Sequence, residues 1–101
     1  MARDTLPGMS YIYLVTFIKQ PQSITLYSRP MCGWCEDAKA WLDKHGLKYT
    51  VQNTTDPAMR QKAVELSSQT YVPVIKVDGL VLGDFDTNQL EAFLKNNGYL
   101  A

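Results

Sequence analysis

The stretch ITLYSRPMCGWCEDAKAWLDKHG, residues 24–46, decides the fold. Ile24 to Tyr27 is a short, β-rich apolar run and reads as a strand. Ser28-Arg29-Pro30-Met31 interrupts it, and Pro30 biases Arg29 away from helix, so the chain arrives extended and then turns. From Gly33 to about His45 the spacing is helical. Cys35, Ala38, Leu42 and His45 recur at three- and four-residue steps with Trp41 beside them, and Gly46 is a stop signal. Two cysteines therefore fall where a strand becomes a helix.

Outward from this stretch, Lys48 to Asn53 reads as a second strand. Asp56 is placed to cap a helix that has Pro57 at its first position and runs over Ala58–Ser67, with Met59, Ala63 and Leu66 on one face. Tyr71-Val72-Pro73 is expected to stop it. Val74 to Val77 is a third strand, Asp78-Gly79 a tight turn, and Leu80 to Leu82 the returning strand. Asp86 or Thr87 caps a last helix to about Asn96, with Leu90, Phe93 and Leu94 facing in, and Asn97-Gly98 ends it. The order β-α-β-α-β-β-α predicts an α/β fold, a four-stranded mixed sheet with helices on both faces. Residues 1–22 read as an N-terminal extension, an extra strand or a mobile arm, and residues 23–101 as the domain.

The 101 residues fit one domain. Acidic and basic residues balance at 10 each without a basic cluster, which argues against nucleic-acid binding and against a polybasic membrane anchor. The apolar run Met9–Ile18 is far shorter than the ~20 residues that span a bilayer. Asp4 directly after Arg3, and Lys19-Gln20-Pro21-Gln22 after the apolar run, do not make a secretory signal. A cytoplasmic protein is expected, and a monomer.

The two cysteines are only three residues apart, so a bridge between them closes a very short loop and stabilises little. Chemistry explains them better than architecture. Cys32 falls at the helix N-terminus, where unpaired N–H groups and the macrodipole favour an anion such as a thiolate. Arg29 adds positive charge nearby. Cys35, one turn on, is expected to be less exposed but within reach of Cys32. Cys32 is then the exposed nucleophile that forms a mixed disulfide, and Cys35 the resolving thiol. A zinc site would need four ligands, against two cysteines and one histidine in the whole chain, and no metal site is assigned. His45 reads as a residue of the last helical turn. Two inert core cysteines remain the structural alternative.

With these residues in order, the sequence resembles a glutaredoxin of the dithiol type. The resemblance rests on Ser28-Arg29-Pro30-Met31-Cys32-Gly33-Trp34-Cys35, on Val72-Pro73 before a strand, and on Asp78-Gly79 leading to Gly83-Asp84-Phe85-Asp86. It covers residue 23 to about 97. It implies a thioredoxin-like fold with Pro73 in a cis peptide facing the cysteines, and a thiol–disulfide oxidoreductase that uses glutathione as co-substrate without a tightly bound cofactor. Its partners would be glutathione and disulfide-containing proteins. By the resemblance, Arg29 meets the glycyl carboxylate of glutathione and Trp34 flanks the ligand. Val72 supplies backbone bonds to the cysteinyl part, Asp86 meets the γ-glutamyl ammonium, and Phe85 offers a backbone N–H beside it.

Three positions depart from the family pattern. Gly33 replaces the usual proline, Tyr71 replaces a small threonine and is expected to narrow the groove, and Asp84 replaces the second glycine of a Gly-Gly pair. The Asp84 carboxylate is set against the glutamyl carboxylate of glutathione. Two alternatives stay open at this point: a redoxin reduced by a flavoprotein reductase, and a carrier of a glutathione-ligated [2Fe–2S] cluster, which Gly33 permits and Cys35 weakens.

Overall fold

The computed structural model describes residues 16–101. Met9–Val15 of the apolar run, and the rest of residues 1–15, lie outside the described residues. The elements are β1 (Ile24–Ser28), α1 (Gly33–Lys44), β2 (Thr50–Asn53), α2 (Pro57–Ser67), β3 (Val74–Val77), β4 (Leu80–Gly83) and α3 (Thr87–Asn96). The sheet order is β2-β1-β3-β4. The β1–β2 pair is parallel, whereas β1–β3 and β3–β4 are antiparallel. This is the mixed four-stranded sheet with three helices that the element order predicts.

Alternation along the strands divides the core. Ile24 and Leu26 of β1, with Ile75 and Val77 of β3, point to one face and bury against Ala38 and Leu42 of α1 and Leu90 and Leu94 of α3. Tyr27 and Val74 point to the other face and meet Ala63, Met59 and Leu66 of α2. The larger cluster thus lies beneath α1, which carries the cysteines. Among the described residues no helix is long and apolar enough to cross a membrane.

Local chemistry sets the boundaries. The Asp56 side chain accepts from the Ala58 N–H at 2.9 Å, with Pro57 opening α2, as its sequence predicts. That helix ends at Ser67, before the Tyr71-Val72-Pro73 stop. Ser68 adopts a left-handed φ of 59° and donates its N–H to Val64 O, which closes the last turn. β2 starts at Thr50, not Lys48. Tyr49 instead donates its hydroxyl to Asp43 Oδ1 at 2.9 Å, tying the approach to α1. Asp78 and Gly79 both have positive φ, 50° and 94°, as a two-residue hairpin turn requires.

Asp78 also joins the two ends of the described chain. Its Oδ1 accepts from the Gln22 and Ser23 N–H groups at 2.9 and 2.8 Å, and its Oδ2 accepts from the hydroxyl of buried Tyr99 at 2.7 Å. Phe17 forms a single antiparallel bridge with Leu100, and Lys19 Nζ lies 4.9 Å from the Tyr99 ring centre. The Tyr99 hydrogen bond, helped by the two backbone donors, holds the Asp78 carboxyl below the usual carboxylate range. A depressed folded pKa means that this stabilisation is present above the unfolded pKa and is lost as pH falls through the folded one. Denaturant midpoints measured down a pH series should therefore show wild type losing an advantage over Asp78→Asn at the acid end. A gap between the two that stays constant with pH would contradict this.

Candidate active site

The cysteines are presented by a short, well-anchored loop. The Ser28 C=O, at the buried end of β1, accepts from the Thr54 N–H at 2.8 Å and from its hydroxyl at 3.2 Å. The chain then turns through Met31, whose φ of 59° is left-handed and whose side chain is 98% exposed. A left-handed non-glycine residue costs about 1–2 kcal/mol. That cost is met at the residue that delivers Cys32 to the helix start.

Cys32 is the N-cap of α1. Its sulfur accepts from the Cys35 N–H at 3.2 Å, and its carbonyl accepts from the Glu36 N–H at 3.1 Å. Cys32 and Cys35 are joined as a disulfide with their Cα atoms 5.2 Å apart. Cys35 is fully buried, as its position one turn into the helix predicts. Cys32 is only 6% exposed, which corrects the expectation of an openly exposed nucleophile. Of the two, Cys32 alone keeps an accessible face. The Cys32 sulfur faces the Cys35 N–H at the N-terminus of α1, the positive end of the helix dipole. Gly33, in the turn between them, has no heavy atom within 4 Å of where a Cβ would sit, so space does not require glycine there.

The loop before β3 carries the second group of expected site residues. The Val72–Pro73 peptide is cis and Pro73 is fully buried. The Pro73 C=O accepts from the Asp84 N–H at 2.9 Å. Val72 makes no backbone hydrogen bond to another described residue, so its N–H and C=O are available to an extended ligand. The Gln69 side chain braces this loop, accepting from the Tyr71 N–H at 2.7 Å and donating to its C=O at 3.0 Å. A Cβ at Gly83 would come within 2.7 Å of Gln69 Nε2 and 2.9 Å of Ser67 Cβ, so the brace depends on glycine there.

Of the residues expected to contact glutathione, Arg29 and Val72 line one hollow and Trp34, Phe85 and Asp86 another, while Pro73, also expected there, lines neither. One, of about 140 Å³, is lined by Arg29, Arg60, Gln69, Tyr71 and Val72. The other, of about 190 Å³, is lined by Trp34, Asp84, Phe85, Asp86 and Gln89. Trp34 and Tyr71 are 60% and 67% exposed and form apolar rims, whereas Phe85 is buried. Asp86 is the N-cap of α3 in a reciprocal capping box. Its Oδ1 accepts from the Gln89 N–H at 2.8 Å, and its own N–H donates to Gln89 Oε1 at 2.9 Å. The backbone donor expected beside it, the Phe85 N–H, is a different group from this one. Asp84 sits at a φ of 52°, the left-handed region that glycine or aspartate tolerates, which explains how an acid stands in the glycine position.

Sequence reasoning missed Arg60 and Gln89. Arg60 comes from α2 and leaves no local signal. Gln89 was legible in the Asp86-Thr87-Asn88-Gln89 capping spacing. His45 stacks on Trp41 with ring centres 3.9 Å apart and is the C-cap of α1, remote in role from the cysteines. A larger hollow of about 400 Å³ is lined by Thr25, Gln52, Lys62, Lys76 and Asp78 among others, with none of the expected contacts; neither cysteine lines any of these three hollows.

The family model described as Glutaredoxin matches residues 24–82, more than half of the chain. The chain belongs to the glutaredoxin family. An uncharacterized glutaredoxin-like 8.6 kDa protein in the rubredoxin operon of Clostridium pasteurianum is 30% identical over 73 residues, covering 71% of this chain and 97% of its own. A thioredoxin-like protein of solved structure shares 25% identity at a TM-score of 0.64, over 71% of this chain and all of that one. A buckwheat glutaredoxin in complex with glutathione has the same fold at 18% identity, with a TM-score of 0.60 over 74% of this chain and 70% of its own. The chain is thus a glutaredoxin-like thiol oxidoreductase carrying its Cys-x-x-Cys pair as a disulfide.

Proposed function

We propose that the protein reduces protein disulfides or glutathione mixed disulfides in the cytoplasm, with glutathione as its electron donor. The observation that carries this reading is a disulfide-forming pair at the N-terminus of α1, beside which the resemblance sets the loop of Val72, whose backbone bonds to no other described residue. The Cys32 thiolate attacks one sulfur of the substrate disulfide, and the other sulfur leaves as a thiol. Cys35 then attacks Cys32 Sγ, the second substrate thiol leaves, and the protein carries the disulfide. Two glutathione molecules return the pair to dithiol and leave as glutathione disulfide. Arg29, joined by Arg60, suits the glycyl carboxylate. Val72 suits the cysteinyl backbone, and Trp34 the flank of the ligand. The buckwheat complex supports this at the level of the fold.

A second reading, reduction by a flavoprotein reductase, is favoured by one observation. The glutamyl end of glutathione would meet the Asp84 and Asp86 carboxylates together. Coupled assays separate the two. Reduction of a small mixed disulfide is followed through NADPH consumption, once with glutathione and glutathione reductase and once with a flavoprotein redoxin reductase alone. Turnover with glutathione is expected. Turnover only with the reductase replaces the first reading by the second, and turnover with neither removes both.

A further inference from the structure

The sheet face beneath α2 changes character along the strands. Tyr27 and Val74 meet Ala63, Met59 and Leu66 of α2. Two residues further along, the same face carries Thr25 and Lys76, which are paired across β1 and β3 and are only half-buried. Gln52 of β2 stands beside Tyr27 in the parallel register. With Lys62 of α2 and Asp78 of the hairpin turn, these residues line the hollow of about 400 Å³. That volume falls among small-molecule sites, which run from roughly 300 to 1,000 Å³. Its charged groups are unequally engaged. The ion pair among the described residues joins Lys39 to Glu36, so Lys62 and Lys76 have no carboxylate partner there. Asp78 is the one carboxylate in the lining, and both of its oxygens are committed: Oδ1 to the Gln22 and Ser23 N–H groups, Oδ2 to the Tyr99 hydroxyl. Tyr27 is only 3% exposed, yet its hydroxyl bonds to no other described residue, and burial holds the phenol above its usual range. A buried hydroxyl without a partner is costly, and an acceptor bound in the hollow removes that cost.

We propose that this hollow binds a small phosphate-bearing anion, held by the Lys62 and Lys76 ammoniums and by the Tyr27, Thr25 and Gln52 side chains. The donor set selects phosphate over carboxylate. A phosphate monoester carries a charge of about −1.5 to −2 at neutral pH and three acceptor oxygens. That matches two free cations, two hydroxyls and an amide. A carboxylate brings a single charge and two oxygens, and leaves part of this donor set without an acceptor. Lysine serves phosphate as a point charge, so the two ammoniums need no bidentate geometry. The hollow lies on the α2 face of the sheet, whereas the cysteines belong to α1 and its cap, on the opposite face. Occupation of the hollow therefore leaves the thiols accessible, and this site is separate from the one that exchanges disulfides.

The test titrates the isotope-labelled full chain with inorganic phosphate, glycerol phosphate and succinate at fixed ionic strength, and follows the amide chemical shifts. Saturable shifts centred on Thr25, Gln52 and Lys76 are expected with phosphate. Tighter binding of glycerol phosphate than of inorganic phosphate assigns the site to a phosphomonoester, and the reverse order assigns it to the free ion; both support the proposal. Lys62→Gln/Lys76→Gln should weaken that binding by about tenfold or more, through the loss of two charge-assisted contacts. Tyr27→Phe, which keeps the apolar ring, should weaken it by roughly three- to fivefold. Disulfide exchange by these variants should match wild type. Shifts that stay linear up to high phosphate, saturable binding left unmoved by either variant, or succinate binding as tightly as the phosphates would overturn the proposal.

Discussion

Cys32→Ser is expected to reduce disulfide exchange to the uncatalysed background, while Cys35→Ser keeps reduction of a glutathione mixed disulfide within roughly tenfold of wild type. The asymmetry comes from geometry. Cys32 caps α1, keeps the accessible face of the pair, and has the Cys35 N–H aimed at its sulfur at 3.2 Å. Cys35 is sealed in the core and reaches substrates only through Cys32. A serine hydroxyl at position 32 is a far weaker nucleophile toward sulfur and forms no stable mixed bond. A serine at position 35 leaves the first attack intact and removes only the resolving step, so reduction of a protein disulfide stalls at the covalent complex. Steady-state assays on both substrate types check this. Equal loss in both variants with a glutathione mixed disulfide would contradict the assignment.

The second large effect concerns the floor beneath the site. Leu42→Ala is expected to destabilise the protein by about 2–5 kcal/mol, because Leu42 is fully buried between α1 and the sheet. For a domain of this size each kcal/mol shifts the melting midpoint by roughly 4–8 °C, so the drop should exceed 8 °C and is read by thermal unfolding of the reduced protein. Exchange rates well below the new midpoint should stay close to wild type, since Leu42 faces the core cluster rather than either hollow. A variant that melts within 2–3 °C of wild type would mean that α1 does not depend on this packing.

The parts of the fold that come from local chemistry were legible in the sequence. β1 and α1 announce themselves by a change of period around Cys32, the helix caps Asp56 and Asp86 by residue type, and the β3–β4 hairpin by Asp78-Gly79. What the sequence does not show is contact between distant segments. Tyr99 bonding Asp78 across 21 positions, and Phe17 bridging Leu100, leave no periodic trace. The same holds at the site. The position and order of the cysteines could be read, but not the burial of Cys32, which depends on packing from distant segments. Arg29, Val72 and Tyr71 line one hollow, and Arg60 joins them from α2, far away in sequence. Asp86 was expected both as a helix cap and as a ligand for an ammonium, and the structure shows the cap, closed reciprocally by Gln89.

The central claim, that Cys32 is the nucleophile and Cys35 the sheltered partner, is tested most directly by limited alkylation. The reduced protein is treated at mildly acidic pH with less than one equivalent of iodoacetamide, and the modified site is mapped by peptide mass spectrometry. The thiolate at the helix N-terminus should take nearly all of the label, so Cys32 is expected to be modified and Cys35 spared. Label on Cys35 equal to or greater than that on Cys32 would contradict the account.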